Sequence, residues 1–395
     1  MDKGYRQNKN ILIVSFYFPP YAEVSGVRAL KLCKYLPENG WNPVVITVDE
    51  RYYQGQVVAE LPDEFAALRL LRLLFLPVPK ARLFASLFFP FYVFYQVCKK
   101  RKKTDAICMI GSPYHPFILT FLFTRLLKIP TGLDFRDSWS NNFGYDGTAR
   151  QNTSTFSRVL HGIFFLIERI GIRYASVVSF ASPVLKKEYI EIHPRYKGKY
   201  HVVLNGYDPD DFENVESVSL AGGKTILLAG KFFTYTPEAV SIFFEILRRR
   251  DDLTFIYIGN EMKQIAKIAL EQEVQDKVIL KPYLPYKEVL TYIKGSDYCL
   301  LTNGVVNGVG TKIFDYLALR KPTLCLVPQG AALSDLFSDA AGVLICERPF
   351  TSADLEEKLT RLFSLKPEKE TGLDDRFSRK RSTKKFAEIY HEISK

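Results

Sequence analysis

Asn303-Gly-Val-Val-Asn-Gly-Val-Gly-Thr-Lys-Ile-Phe-Asp-Tyr-Leu-Ala-Leu-Arg-Lys-Pro-Thr-Leu-Cys-Leu-Val327 decides the fold. The apolar run before it, Tyr298 to Leu301, reads as a buried strand, and Thr323 to Val327 reads as the next one. Between them lie a loop with Gly304, Gly308 and Gly310 and a helix stopped by Lys321-Pro322, which makes one βαβ unit. Glycines at such a turn let the backbone approach a ligand, and the first N–H groups of the helix have no internal partner and can hold a phosphate. At about 100° per residue, Ile313, Phe314, Leu317 and Ala318 share the face toward the sheet. Asp315 falls off that face, where a carboxylate can meet ribose or sugar hydroxyls, and Lys312 can add positive charge near a diphosphate. A Walker loop is excluded, because Thr311 precedes Lys312 instead of following it. An ordinary βα turn has the same spacing, so the pattern alone leaves both readings open.

The same alternation runs through the chain. Ile11 to Phe16 reads as a strand, Phe18 to Gly26 as a loop with Ser25 at the helix start, Val27 to Leu36 as a helix and Pro43 to Val48 as a strand. Further strands over 105–110, 131–135, 176–180 and 200–204 alternate with helices over 117–127, 154–175 and from Ser182-Pro183. Asn205 to Phe212 is rich in turn residues, after which the pattern restarts with strands over 225–229, 253–258 and 277–280 and helices over 238–249, 262–270 and 287–294. Two βα arrays with a turn-rich join predict an α/β chain of two parallel-sheet domains, 1–205 and 206–375, facing across a cleft. A basic helix over 376–395 follows.

Open parallel sheets bind ligands at the carboxyl ends of their strands. That rule singles out Gly230-Lys231, Gly111 to Pro116 with His115, and Asp134 to Trp139 with Arg136 and Asp137. His115 at such a place is either structural or catalytic. Arg136 and Asp137 either form a salt bridge that holds their loop or bind an acceptor hydroxyl or phosphate.

At 395 residues with 47% hydrophobic and 25% charged content, the chain has the composition of a folded soluble protein large enough for two cores. Its net charge of +11 favours anionic partners: nucleotide sugars, anionic lipid or nucleic acid. The six cysteines are scattered without a Cys-x-x-Cys pair, which fits reduced core residues better than a disulfide frame or zinc site. The N-terminal residues are polar and no secretory leader is read there. Asp208-x-Asp210 has a proline inside it and no further identifiable oxygen ligands, so no metal is expected. Leu83 to Tyr95 is an apolar, aromatic run followed by Lys99-Lys-Arg-Lys-Lys103. It is shorter than the roughly 20 residues of a spanning helix, and Pro90 interrupts it. Residues 81–103 are expected to lie on an anionic membrane surface; a core helix followed by a solvated charge run is the other reading.

Thr311 to Ala318 with Lys321-Pro322 resembles the donor-binding segment of family 4 glycosyltransferases, written Pro-Ser-Lys-Leu-Phe-Glu-Tyr-Leu-Ala-x-Gly-Lys-Pro. In that family two glutamates flank seven residues; here Asn307 and Asp315 stand in their places. The resemblance implies that Asp315 holds the ribose hydroxyls and that Asn307 replaces the donor-sugar contact. Lys312 and the N–H groups of Gly308, Val309, Gly310 and Thr311 would serve the diphosphate. Gly26 and Arg28 stand in a loop similar to the family's proline- and glycine-containing loop, which implies a place near the donor phosphates. Lys231 stands where the family has a basic residue on the diphosphate. The Ser-Pro-x-His and Asp-x-Arg-Asp-x-Trp stretches look like acceptor-side loops, where a histidine reaches the transferred sugar.

The implied fold is GT-B, with the last helix packing back on the first domain. The implied reaction moves a sugar from a UDP- or GDP-sugar to a hydroxyl of a lipid-linked saccharide or surface polysaccharide. It would retain configuration without metal or other cofactor, at the cytoplasmic face of the plasma membrane and with no nucleic-acid partner. A nucleotide-sugar epimerase on the same fold and a non-catalytic basic membrane or nucleic-acid adaptor are the alternatives.

Overall fold

A computed structural model describes residues 8–21, 24–53, 65, 67–140, 155–220, 223–365 and 375–395. The chain forms two compact units, Met1–Asn205 with Arg379–Lys395, and Gly206–Ser378.

Among the described residues, the first unit has a seven-stranded parallel sheet: β1 (Lys9–Ser15), β2 (Trp41–Val48), β3 (Arg69–Leu73), β4 (Ala106–Ile110), β5 (Thr131–Phe135), β6 (Val177–Phe180) and β7 (Tyr200–Val202). The spatial order is β3-β2-β1-β4-β5-β6-β7, so its direction reverses between β1 and β4. Helices α1 (Val24–Tyr35), α2 (Ala81–Lys100), α3 (Thr155–Tyr174) and α4 (Pro183–Ile192) join the strands. Successive side chains of a strand point to opposite faces. Leu12 and Val14 of β1 accordingly join a core with Ala85, Phe89 and Val93 of α2, while Ile11 and Ile13 join one with Leu30 and Cys33 of α1. Both faces are covered, which is why these strands read as unbroken apolar runs. The C-terminal helix (Arg379–Ile393) lies on the α1 face through Phe386, Ala387 and Tyr390. Gly132 in β5 makes this possible, since a Cβ there would fall 2.0 Å from the Tyr390 hydroxyl.

Two expectations for this unit are corrected. Pro90 does not interrupt the aromatic run; α2 continues through it for 20 residues. A proline removes the N–H that would bond the carbonyl four residues back, here Ser86, and His115 Nε2 fills that place at 2.7 Å from Ser86 O. The helix expected over 117–127 is instead a 3₁₀ turn, His115–Leu119, and a π turn, Leu122–Leu126. Strand β3 was not read from the sequence, because it is a short, half-exposed edge strand with an arginine at every third position.

The second unit repeats the plan with six parallel strands among the described residues: β8 (Lys224–Ala229), β9 (Leu253–Ile258), β10 (Val278–Lys281), β11 (Tyr298–Thr302), β12 (Thr323–Val327) and β13 (Val343–Glu347). Helices α5 (Pro237–Arg248), α6 (Met262–Glu271), α7 (Tyr286–Gly295), α8 (Lys312–Ala318), α9 (Ala332–Phe337) and α10 (Ser352–Ser364) connect and flank them. The order β10-β9-β8-β11-β12-β13 reverses between β8 and β11. On α8 the buried residues include Ile313, Phe314, Tyr316 and Ala318, with Leu317 only half-buried. Tyr316 takes the inward place expected of Leu317 because its hydroxyl accepts from Ala229 N at 3.1 Å and so pins α8 to the end of β8. The architecture is the predicted α/β pair of Rossmann-like parallel sheets.

Candidate active site

In an open parallel sheet, ligands bind where the strand order reverses, outside the carboxyl ends of the two strands that flank the reversal. In the second unit those strands are β8 and β11, which lead into Gly230-Lys231 and Asn303 to Thr311. The two ends are tied together: Thr302 Oγ1 donates to Lys231 O at 2.5 Å. Gly304 lies so close to the other loop that a Cβ would come within 3.2 Å of the Tyr235 backbone. Asn303 shapes the glycine loop from inside, its amide donating to Gly308 O at 2.7 Å and accepting from Val305 N at 3.1 Å. Gly310 has open space where a side chain would be, so the backbone there is accessible.

Asp315 is nearly buried in the first turn of α8, not out on the solvent face. Its Oδ2 faces Lys312 Nζ at 3.1 Å, and its Oδ1 accepts from the Tyr286 hydroxyl at 2.9 Å. Lys312 Nζ also lies 5.1 Å over the Tyr286 ring. An ionised carboxylate has about four lone-pair sites, so Asp315 keeps capacity to accept from two further hydroxyls. Lys231 is exposed, with its ammonium 5.5 Å over the Tyr235 ring. Asn303, Tyr235 and Tyr286 were not singled out from the sequence. Tyr286 could have been, because it follows Leu284-Pro285 beyond the carboxyl end of β10.

In the first unit the candidate residues divide. Arg28 is corrected: its side chain is 2% exposed and bound entirely inside the unit. Nε and Nη2 form a fork on Asp134 at 2.6 and 2.9 Å, Nη1 donates to Asn205 Oδ1 and Leu204 O, and Nη2 donates to Val203 O. Burial opposes its charge, yet Asp134 beside it holds the guanidinium above its ordinary pKa. Arg28 clasps α1 to the ends of β5 and β7, with no donor left over for a phosphate. Gly26 allows the helix start to touch the loop after β1, where a Cβ would lie 3.2 Å from Phe18 Cα.

His115 sits against α2 with its Nε2 on Ser86 O, and burial pushes its imidazole below the ordinary value. Arg136 Nε bonds Asp137 Oδ2 at 2.8 Å, leaving the Asp137 carboxylate about half exposed. The Tyr114 hydroxyl accepts from Asp137 N and donates to Asp137 O, which joins the β4 and β5 ends.

Residues 215–379 match the model of the glycosyl transferases group 1 family. The second unit carries a glycosyl transferases group 1 domain, and the chain has the GT-B fold. No curated protein matches it. Solved structures that resemble the chain over nearly its whole length share the fold at low identity. A glycosyltransferase from Rickettsia africae is 16% identical with a TM-score of 0.66, over 98% of both chains. Anabaena HepE, solved with UDP and glucose, is 13% identical with a TM-score of 0.60, again over 98% of both chains. WaaG, a glycosyltransferase of lipopolysaccharide biosynthesis, is 11% identical with a TM-score of 0.59, over 97% of this chain and 98% of that one.

Proposed function

We propose that this glycosyltransferase moves a sugar from a UDP- or GDP-sugar to a hydroxyl of a lipid-linked saccharide or surface polysaccharide, working without metal and with retention at the inner face of the plasma membrane. The observation that carries the donor half is the Lys312–Asp315–Tyr286 cluster beside the accessible glycine loop at the β8/β11 reversal. Asp315 accepts from the ribose hydroxyls. The N–H groups of Gly308 to Thr311, with Lys231 and Lys312, take the charge that develops on the leaving diphosphate, the main chemical demand of the reaction. Asn307 meets the donor sugar, and Asp137, oriented by Arg136, meets the acceptor. HepE bound to UDP and glucose supports a nucleotide-sugar donor, and WaaG supports a surface-saccharide acceptor.

The membrane half rests on α2. Its buried stripe, Ala81, Ala85, Phe89, Val93 and Val97, belongs to the core, which supports a helix that docks on the surface over one that spans. Its outer face leaves Leu83, Leu87 and Phe91 at 55, 60 and 73% exposure, and the run Lys99 to Lys103 follows. Apolar side chains enter the interface while the basic residues meet anionic headgroups, each worth about 1 kcal/mol near such a surface.

Calorimetry with UDP and GDP, then transfer from radiolabelled nucleotide sugars to a membrane lipid extract, tests the reading. Binding of neither nucleotide would favour the adaptor, and sugar release without a modified acceptor would favour the epimerase. Neutralising Lys99 to Lys103 should abolish sedimentation with anionic vesicles; unchanged sedimentation removes the docking claim.

A further inference from the structure

Glu261 follows β9 and immediately precedes α6, with 7% of its surface exposed. Its carboxylate accepts from three consecutive backbone N–H groups, Phe232 at 2.5 Å, Phe233 at 2.9 Å and Thr234 at 3.0 Å, and from the Thr234 hydroxyl. Successive N–H groups converging on one point make an anion-binding concavity. Here the chain supplies the anion itself, and the N–H groups belong to the turn that carries Lys231. The end of β9 grips the same turn at two more points. The Tyr257 hydroxyl donates to Gly230 O at 2.8 Å and accepts from Glu261 N at 2.9 Å. Gly259 approaches so closely that a Cβ would fall 2.6 Å from Gly230 O. Arg348 Nη2 holds the far end of the turn through Tyr235 O at 2.6 Å. Residues 231–236 are neither strand nor α-helix, so these outside groups set their conformation, and Glu261 makes the most bonds to them.

We propose that Glu261 is a positioning residue for the donor: by filling the N–H concavity it fixes the 231–234 turn and with it the Lys231 ammonium that meets the pyrophosphate. Glu261 itself touches no substrate. The inference rests on the donor reading above, in which Lys231 binds pyrophosphate. Without the carboxylate the turn must be ordered at the moment of binding, and affinity falls by the cost of ordering it.

The test uses the full chain. In Glu261→Ala, amide hydrogen exchange at Phe232 to Thr234 should accelerate in the absence of nucleotide, a readout independent of the donor reading. Calorimetry with UDP and GDP should show affinity weakened about tenfold in Glu261→Ala and about threefold in Glu261→Gln, whose amide oxygen still accepts. Lys231→Ala combined with Glu261→Ala should bind no more weakly than Lys231→Ala alone. A purely structural Glu261 would lower the unfolding temperature and leave affinity unchanged; that result, tighter binding, or multiplicative losses in the double variant would overturn the proposal. If Glu261→Ala does not fold, the isosteric Glu261→Gln decides by the same affinities. If the unaltered protein binds neither nucleotide, the donor reading fails and takes this role with it. If the unaltered protein binds and the Glu261 variants match it, only the Glu261 role fails.

Discussion

Replacing Arg28 with alanine should cost stability, not nucleotide affinity. The side chain makes five hydrogen bonds, two of them a fork on Asp134, whose carboxylate is 0% exposed. In Arg28→Ala, Asp134 retains the Ser179 hydroxyl at 2.5 Å but loses its countercharge. Removing one partner of a buried ion pair costs about 3–5 kcal/mol, because the remaining charge is stranded. For a unit of this size each kcal/mol moves the midpoint by about 2–4 °C, so the first unit should melt about 6–20 °C lower. Scanning calorimetry resolves this, since two units need not unfold together. Arg28→Lys should recover little, because one ammonium cannot reproduce the planar fork. Arg28→Met with Asp134→Leu should recover most of the loss, because no unpaired charge remains. Loss of UDP binding with an unmoved melting transition would refute this reasoning and return Arg28 to the donor phosphates.

Three further outcomes are expected. Asp315→Ala should weaken UDP or GDP binding by about 10–150-fold, the worth of one charge-assisted hydrogen bond of about 1.5–3 kcal/mol; unchanged affinity and turnover would remove the basis of the donor reading. Burial holds the folded His115 imidazole below its ordinary 6.5, so between the two values the folded state binds fewer protons than the unfolded. The stability this reflects is fully present above pH 6.5 and lost as the pH falls toward the folded value. His115→Gln, which still donates to Ser86 O, should therefore flatten the pH dependence of urea unfolding between neutral and mildly acid pH; an unaltered slope would show that His115 is not the group responsible. Phe91→Ser should weaken partitioning onto anionic vesicles by about 10–150-fold, from the roughly 1.5–3 kcal/mol of burying a phenylalanine, with no change in melting temperature because Phe91 is exposed.

Alternation of apolar runs and glycine-bearing turns, read locally, reached most strands, the two-array plan and the glycine loop. Each is a property of a few neighbouring residues, and backbone stereochemistry converts such a pattern into an element almost wherever it sits. The edge strand β3 escaped because exposure and its arginines dilute the apolar pattern. The segment beyond Val327, with α9, β13 and α10, was not read at all. Asp315 was found as a carboxylate at a helix start; its partner Tyr286, 29 residues earlier, was not.

By itself, then, the order of residues determined the α/β class, two parallel sheets and the glycine loop ahead of α8. Only the tertiary structure decided what individual polar groups do. Gly-x-Arg at a helix start suits a phosphate or a buried carboxylate equally well, and the choice fell to Asp134, 106 residues further on. His115 at a strand end suits catalysis or structure, and Pro90 opened the carbonyl of Ser86 that it now holds. Glu261 is one more surface acid in the sequence, until packing brings three N–H groups of another loop onto it. A side chain's chemistry is set by its partners, and partners distant in the chain are assigned only when the elements pack.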